Sequence, residues 1–246
     1  MMVETTDPWF HIANSMMRER TPARGESVIH AGLTYIGQMI SHDIVAPTNQ
    51  KIIDGKEVDS RLVTTALNLD SIYGNADAAL FKSNPIQTGY LDADGLFEFD
   101  IIESGDKDLK RQDGKLAQIP EPRNDENRII SQLHLFWQRL HNTLSTLEID
   151  GQPIVENALQ TRELVTKLFQ LVTIEDFLQK TVSKVVFEQY FRANKSYIED
   201  FKLGTTTPDF FSKASFRFGH SIVRKKYRIS QNGKFPLLSD LFKPKT

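Results

Sequence analysis

The chain has no cysteine. That excludes disulfides, thiolate metal centres and cysteine nucleophiles. Neither sign of charge is in surplus, with 30 Lys+Arg against 32 Asp+Glu and a formal net charge of −2. The basic excess of a nucleic-acid-binding protein is therefore missing. No run of about 18 apolar residues occurs, which argues against a membrane-spanning helix. The first ten residues carry Glu4 and Asp7 and lack the basic-then-apolar order of a signal peptide. The reading is a soluble chain whose compartment stays open. What the sequence does have is 246 residues, 39% of them hydrophobic and 25% charged. That is a globular composition with enough chain for a sizeable core, read here as one domain over 1–246.

Apolar spacing predicts a mainly α fold with long irregular connections. Val28 to His42 places Val28, Ile29, Leu33, Ile36, Met39 and Ile40 on one broad helical face, with Pro47 as a stop. Lys51 to Asp113 alternates short apolar pieces with Asp54-Gly55, Asp94-Gly95 and Asp113-Gly114, the signature of turns holding small elements. A second helix follows Pro120-Glu121-Pro122, with Ile129, Leu133, Phe136, Trp137, Leu140 and Leu144 in step, and Asp150-Gly151 ends it. A third runs from about Ala158 to Thr181, and a fourth includes Val185 to Ala193. A last one starts at Thr207-Pro208-Asp209, where cap, first-turn proline and acidic N-terminus agree, and is expected to reach Lys225. No strand pattern of similar strength is present.

Six histidines are the first candidates for chemistry. His30, His134 and His141 are read as surface or satisfied core residues, and His11, in a start read as unstructured, is given no role. His42 differs. Gln38 lies one helical turn before it on the same face, whereas Asp43 points about 100° away, so one helix end can serve two sites. His220 follows Arg217 by one turn, and Gly219 removes a side chain beside it, leaving room for a flat group near the backbone. Pro122 to Arg128 is a charged cluster ahead of the second helix. Thr64, Asn68 and Asp70 are closely spaced oxygen donors that suit either a hard cation or simple Asx turns.

Taken in order, four segments resemble the animal-type haem peroxidase family, also called the peroxidase–cyclooxygenase superfamily. They are Gly37 to Ile44, Thr64 to Gly74, Arg123 through Glu126 to Asn142, and Phe216 to His220. The cysteine-free chain looks more like a bacterial member than a vertebrate one. The resemblance implies haem b and Ca²⁺ as cofactors, with hydrogen peroxide and a halide or small organic donor as substrates. His42 and Arg123 would be the distal histidine and arginine, and Gln38 the distal glutamine. His220 would be the proximal iron ligand, Arg217 a propionate partner and Glu126 a glutamate able to form a haem ester. Asp43, Thr64, the Ala66 carbonyl, Asn68 and Asp70 would hold calcium. A neutral imidazole can take a proton from peroxide and return it to the leaving oxygen, and a permanent guanidinium cation can stabilise the charge that develops.

Departures from the family pattern accompany the match. Ser41 and Asn127 stand where some members carry further haem-linking side chains. Asn68 stands where the calcium loop often has Asp. Arg217 occupies the place of the radical-forming Tyr of the fatty-acid oxygenating branch, which favours a peroxidase. The chain stops soon after His220, so the C-terminal part of the family domain is read as missing. The usual Asn partner of the proximal His has no counterpart, since Asn232 is not at that position, and exposed apolar surface or oligomerisation is expected. The alternatives are a haem-poor, non-catalytic remnant of the fold, or an HD-type metal-dependent phosphohydrolase built on His42-Asp43.

Overall fold

The computed structural model describes residues 30–45, 66–74, 90–192, 215–224, 226–227 and 238–241. Helix α1 is Ala31–Ile44 and buries Leu33, Met39 and Ile40, as its apolar spacing requires. The short α2, Asp70–Tyr73, is entered through Leu67 and Leu69, both left-handed at φ 51° and 59°. Helix α3, Arg128–Ser145, starts where the Asn127 carboxamide oxygen accepts from the amides of Ile129 and Ile130. Helix α4, Ala158–Val172, continues through a π-helical turn, Thr173–Leu178, and a last helical turn, Gln179–Thr181. The expected helix from Ala158 to Thr181 is thus present with a π bulge inside it. Lys184–Phe187 and the π turn Glu188–Arg192 correspond to the fourth expected helix.

These helices enclose one main core. Leu33, Met39 and Ile40 of α1 meet Ile72 and Tyr73 of α2, Ile130 and Trp137 of α3, and Val165, Phe169 and Phe177 of the α4 rod. Trp137 sets its edge against Phe169 at 5.3 Å between ring centroids, a favoured aromatic arrangement. The mainly α expectation holds.

Two details differ from the periodicity reading. Antiparallel hairpins pair β1 (Phe99–Ile101) with β2 (Lys107–Leu109), β3 (Arg111–Gln112) with β4 (Leu116–Ala117), and β5 (Glu148–Ile149) with β6 (Gln152–Pro153). Strands this short are too brief to show alternation. The third one turns at Asp150-Gly151, both residues at positive φ, so that dipeptide makes a hairpin rather than simply ending α3. Within the last expected helix, Ser215–Ile222 is a 3₁₀-helix; Thr207, Pro208 and Asp209 lie outside the described residues, as do His11, Pro47 and Asn232.

Candidate active site

His42 sits in the last turn of α1 and is 7% exposed. Its Nδ1–H donates to Asn124 Oδ1 at 2.8 Å. Burial, reinforced by the Arg123 guanidinium, holds its pKa down at about 4; the Asn124 bond and Glu121 act the other way, and Arg217 adds a small lowering. His42 is therefore neutral at pH 7, as a proton acceptor must be.

Asn124 and Arg123 come from a 3₁₀ turn, Pro122–Asp125, that precedes α3. Pro122 suits its first position, and Glu121 caps it by accepting from the Arg123 amide at 2.9 Å. The same carboxylate takes Arg123 Nε at 2.8 Å and Nη2 at 2.8 Å. Arg123 Nη2 also donates to the carbonyls of His42 at 3.2 Å and Val45 at 2.9 Å. The guanidinium thereby ties the end of α1 to the turn. On the outer side Arg111 grips Asp125 through two bonds of 2.6 Å and 2.8 Å, a bidentate pair that anchors the turn to the β3 strand.

Gln38, one turn before His42, donates from Nε2 to Glu126 Oε1, and its own carbonyl oxygen accepts from Asn127 Nδ2 at 3.4 Å. Burial raises the pKa of Glu126, against the pull of Arg123 and, more weakly, of Gln38 and His220. The Ser215–Ile222 segment packs against α1, which brings Arg217 and His220 close enough for their charges to act on His42 and Glu126. Phe177 holds it there. Its ring packs against Phe216 at 6.3 Å and Phe218 at 6.5 Å, and it approaches α1 where Gly37 has no side chain. A Cβ on Gly37 would lie 2.8 Å from Phe177 Cε2, so only glycine admits this packing. His220 Nδ1–H donates to the Arg217 carbonyl at 3.0 Å, which leaves Nε2 with its lone pair. A Cβ at Gly219 would meet nothing within 4 Å among the described residues.

Asp43 faces the other way, as the helical angle requires. It is fully buried and accepts from the Leu69 amide at 3.1 Å, the Ser71 amide at 3.0 Å and the Ser71 hydroxyl at 2.9 Å. Burial, with a smaller push from Asp70, raises its pKa to about 6 against those donors. Asp70 has Arg162 Nη2 at 3.6 Å. Asn68 Oδ1 is buried with no hydrogen-bond partner among the described residues. The Ala66 carbonyl accepts a 3.3 Å bond from Gln170 Nε2. Thr64 lies outside the described residues.

Sequence reasoning missed two members of this site. Glu121 read as part of a helix preface, and Asn124 as one polar residue in a charged cluster. Only the fold brings them to Arg123 and His42. His134 and His141 are both buried in the core; His141 is satisfied at both ring nitrogens, as expected, whereas His134 bonds Asn124 through Nδ1 and has no partner at Nε2 among the described residues. Tyr73 donates its hydroxyl proton to His141 Nδ1 at 2.9 Å, and His141 Nε2–H donates to the Gly95 carbonyl at 3.0 Å.

The helical scaffold thus gathers a buried neutral histidine, an arginine fixed by Glu121, and a segment carrying a second histidine that packs on α1. The sequence model of the animal haem peroxidase family matches residues 56–245, and the chain belongs to that family. The matched span begins after Gln38, His42 and Asp43 and includes Arg123, Glu126, Arg217 and His220. The chain is 24% identical over 212 residues to peroxidasin homolog pxn-2 of Caenorhabditis elegans, covering 74% of this chain and 15% of that protein. It is 29% identical over 119 residues to thyroid peroxidase of Rattus norvegicus, covering 47% and 12%, and 25% identical over 189 residues to thyroid peroxidase of Canis lupus familiaris, covering 68% and 19%. The chain thus spans less than a fifth of the length of these relatives. No described helix is long and apolar enough to cross a membrane.

Proposed function

We propose that the chain is a haem-dependent peroxidase that reduces hydrogen peroxide and oxidises a halide or small organic donor. The observation that carries this reading is a neutral, buried His42 whose Nδ1 is engaged by Asn124, beside Arg123 and facing the Arg217–His220 segment. The donor set fits a haem. His220 has its Nδ1 proton bound to a carbonyl, which orients the imidazole and makes Nε2 a better ligand. A Cβ at Gly219 would meet nothing among the described residues, and Arg217 is placed by one 3₁₀ turn on the side of His220, where it suits a propionate. Haem, when bound, supplies the electrons that cleave the O–O bond.

His42 then acts as base and acid. Nε2 takes the proton of peroxide and returns it to the departing oxygen. Arg123 cannot lose its proton, and although Glu121 shares its charge through Nε and Nη2, its Nη1 can donate to the developing oxyanion. Gln38 holds the pocket's polar wall through Glu126 and Asn127 and can orient water or a halide. Glu126, whose pKa burial raises, is the side chain suited to an ester link with the haem.

The Asp43 side fits a hard cation. It combines a buried carboxylate, the neighbouring Asp70, the orphan Asn68 oxygen and the Ala66 carbonyl. Calcium held there, with Thr64 as a further ligand, would fix the end of α1 next to His42. In the haem-loaded full chain, His42→Ala should slow the reaction with peroxide by about 10²–10⁴-fold while the haem spectrum persists. Rates equal to the parent in stopped-flow mixing would overturn the role of His42.

A further inference from the structure

We propose that Asn124 and His134 are positioning residues for His42. The buried chain His42–Asn124–His134 locks the His42 imidazole in the tautomer that carries its proton on Nδ1 and leaves the Nε2 lone pair free. This inference deepens the peroxidase reading, and its catalytic meaning rests on that reading.

The argument starts from what a carboxamide offers. Asn has one acceptor oxygen and one donor nitrogen. Asn124 Oδ1 lies 2.8 Å from His42 Nδ1, so that nitrogen must donate. Asn124 Nδ2 lies 3.1 Å from His134 Nδ1, so that nitrogen must accept, and the His134 proton sits on Nε2. Each polarity dictates the next. The three side chains come from α1, the 3₁₀ turn and α3, and Asn124 and His134 are 0% exposed, so no bulk water competes for the bonds. The Asn124 main-chain N–H donates to the Glu121 carbonyl at 2.9 Å, which fixes the backbone from which the carboxamide projects. The charged groups that act on His42 are Arg123, Glu121 and Arg217, and none of them lies on α1.

The reversed polarity would have a different consequence. If His134 donated from Nδ1, Asn124 would turn its oxygen inward and its nitrogen toward His42. His42 would then accept at Nδ1 and present an N–H from Nε2, which cannot take a proton from peroxide. Burial keeps His134 neutral, with a pKa of about 3, so it is not the imidazolium that would donate from both nitrogens, and the Asn124 Nδ2 contact makes Nδ1 the acceptor. His134 Nε2 has no hydrogen-bond partner among the described residues, so no bond at that end opposes the arrangement.

The test is the tautomer state of both rings, read by ¹⁵N histidine NMR on the full chain without haem. His42 should be the Nδ1–H form and His134 the Nε2–H form. Asn124→Asp offers only acceptors, so His42 should stay Nδ1–H while His134 changes to Nδ1–H. Asn124→Leu should release His42 from the Nδ1–H form. In the haem-loaded protein the Leu variant should react with peroxide about tenfold more slowly, the worth of one hydrogen bond, and the Asp variant should recover the rate. A parent His42 in the Nε2–H form, or a His134 tautomer unmoved by Asn124→Asp, overturns the lock. The Asp variant decides the matter if the Leu variant does not fold. The expected tautomers with no peroxide reaction in haem-loaded parent uphold the lock and overturn the peroxidase reading instead.

Discussion

Acidification from pH 7 to pH 5 should cost the folded chain about 4 kcal/mol, and His134→Leu should remove roughly half of that loss. Burial lowers the pKa of His42 to about 4, His134 to about 3 and His141 to about 4, from an ordinary 6.5. A folded pKa below the unfolded one means that the unfolded chain binds protons first as pH falls. The stability these rings contribute is complete above about pH 6.5 and drains away toward the folded values. Between pH 7 and pH 5 each ring loses about 2 kcal/mol. Asp43 works in the opposite sense. Its folded pKa is raised to about 6, so the contribution of its protonated form is full below the unfolded value of 3.8 and is lost as pH rises through 6. Going to pH 5 therefore returns about 1–1.5 kcal/mol, which brings the net loss to about 4. A domain of ordinary stability holds only about 5–15 kcal/mol in total. The assay is urea unfolding at pH 7, 6 and 5 in chelator, followed by the fluorescence of buried Trp137. Leu in place of His134 fills similar volume and deletes one titrating ring. A stability flat from pH 7 to 5, or a His134→Leu chain with the parent's pH slope, would refute the reasoning.

Other outcomes follow from single contacts. Gly37→Ala should destabilise by about 1 kcal/mol, because the overpacking cost against Phe177 exceeds the helix-propensity gain. Phe177→Leu in the same chain should relieve part of it, so a double-mutant cycle in chemical denaturation should show coupling, and simple additivity would count against the contact. Glu121→Gln should cost about 2 kcal/mol, since it weakens three bonds to Arg123, and should slow the peroxide reaction of the haem-loaded chain; unchanged stability and rate would show that Arg123 is held by other groups. Asn127→Ala should lose the α3 cap and about 1 kcal/mol in thermal unfolding, with Asn127→Ser near the parent.

The helical core was legible because long amphipathic segments carry their period openly. Leu33, Met39, Ile40 and Trp137 face inward as their spacing says, whereas Phe136, counted on the same face, is exposed, and Ile130 beside Ile129 is the buried residue. The hairpins were hidden, since strands of two or three residues have no measurable period. The 3₁₀ form of Ser215–Ile222 was hidden too, because i and i+3 spacing serves both helix types. At the site, the split between His42 and Asp43 followed from the 100° step alone. It is realised, with His42 turned to Asn124 and Asp43 to Ser71. Glu121 and Asn124 could not be read in advance. Their partners are made by folding, and a Glu between two prolines or an Asn in a charged run has many uses. The same holds at His220, where no side chain in the sequence stands out as a partner, whereas the Arg217 backbone carbonyl takes the Nδ1–H bond within one 3₁₀ turn.

The most direct test of the account is a haem titration of the full chain, parent beside His220→Ala, followed by peroxide. The account predicts a Soret band that saturates at one haem per parent chain and shifts on peroxide addition, with His220→Ala binding far more weakly. A parent that takes up haem no better than His220→Ala, or a saturated spectrum that peroxide leaves unchanged, would contradict it.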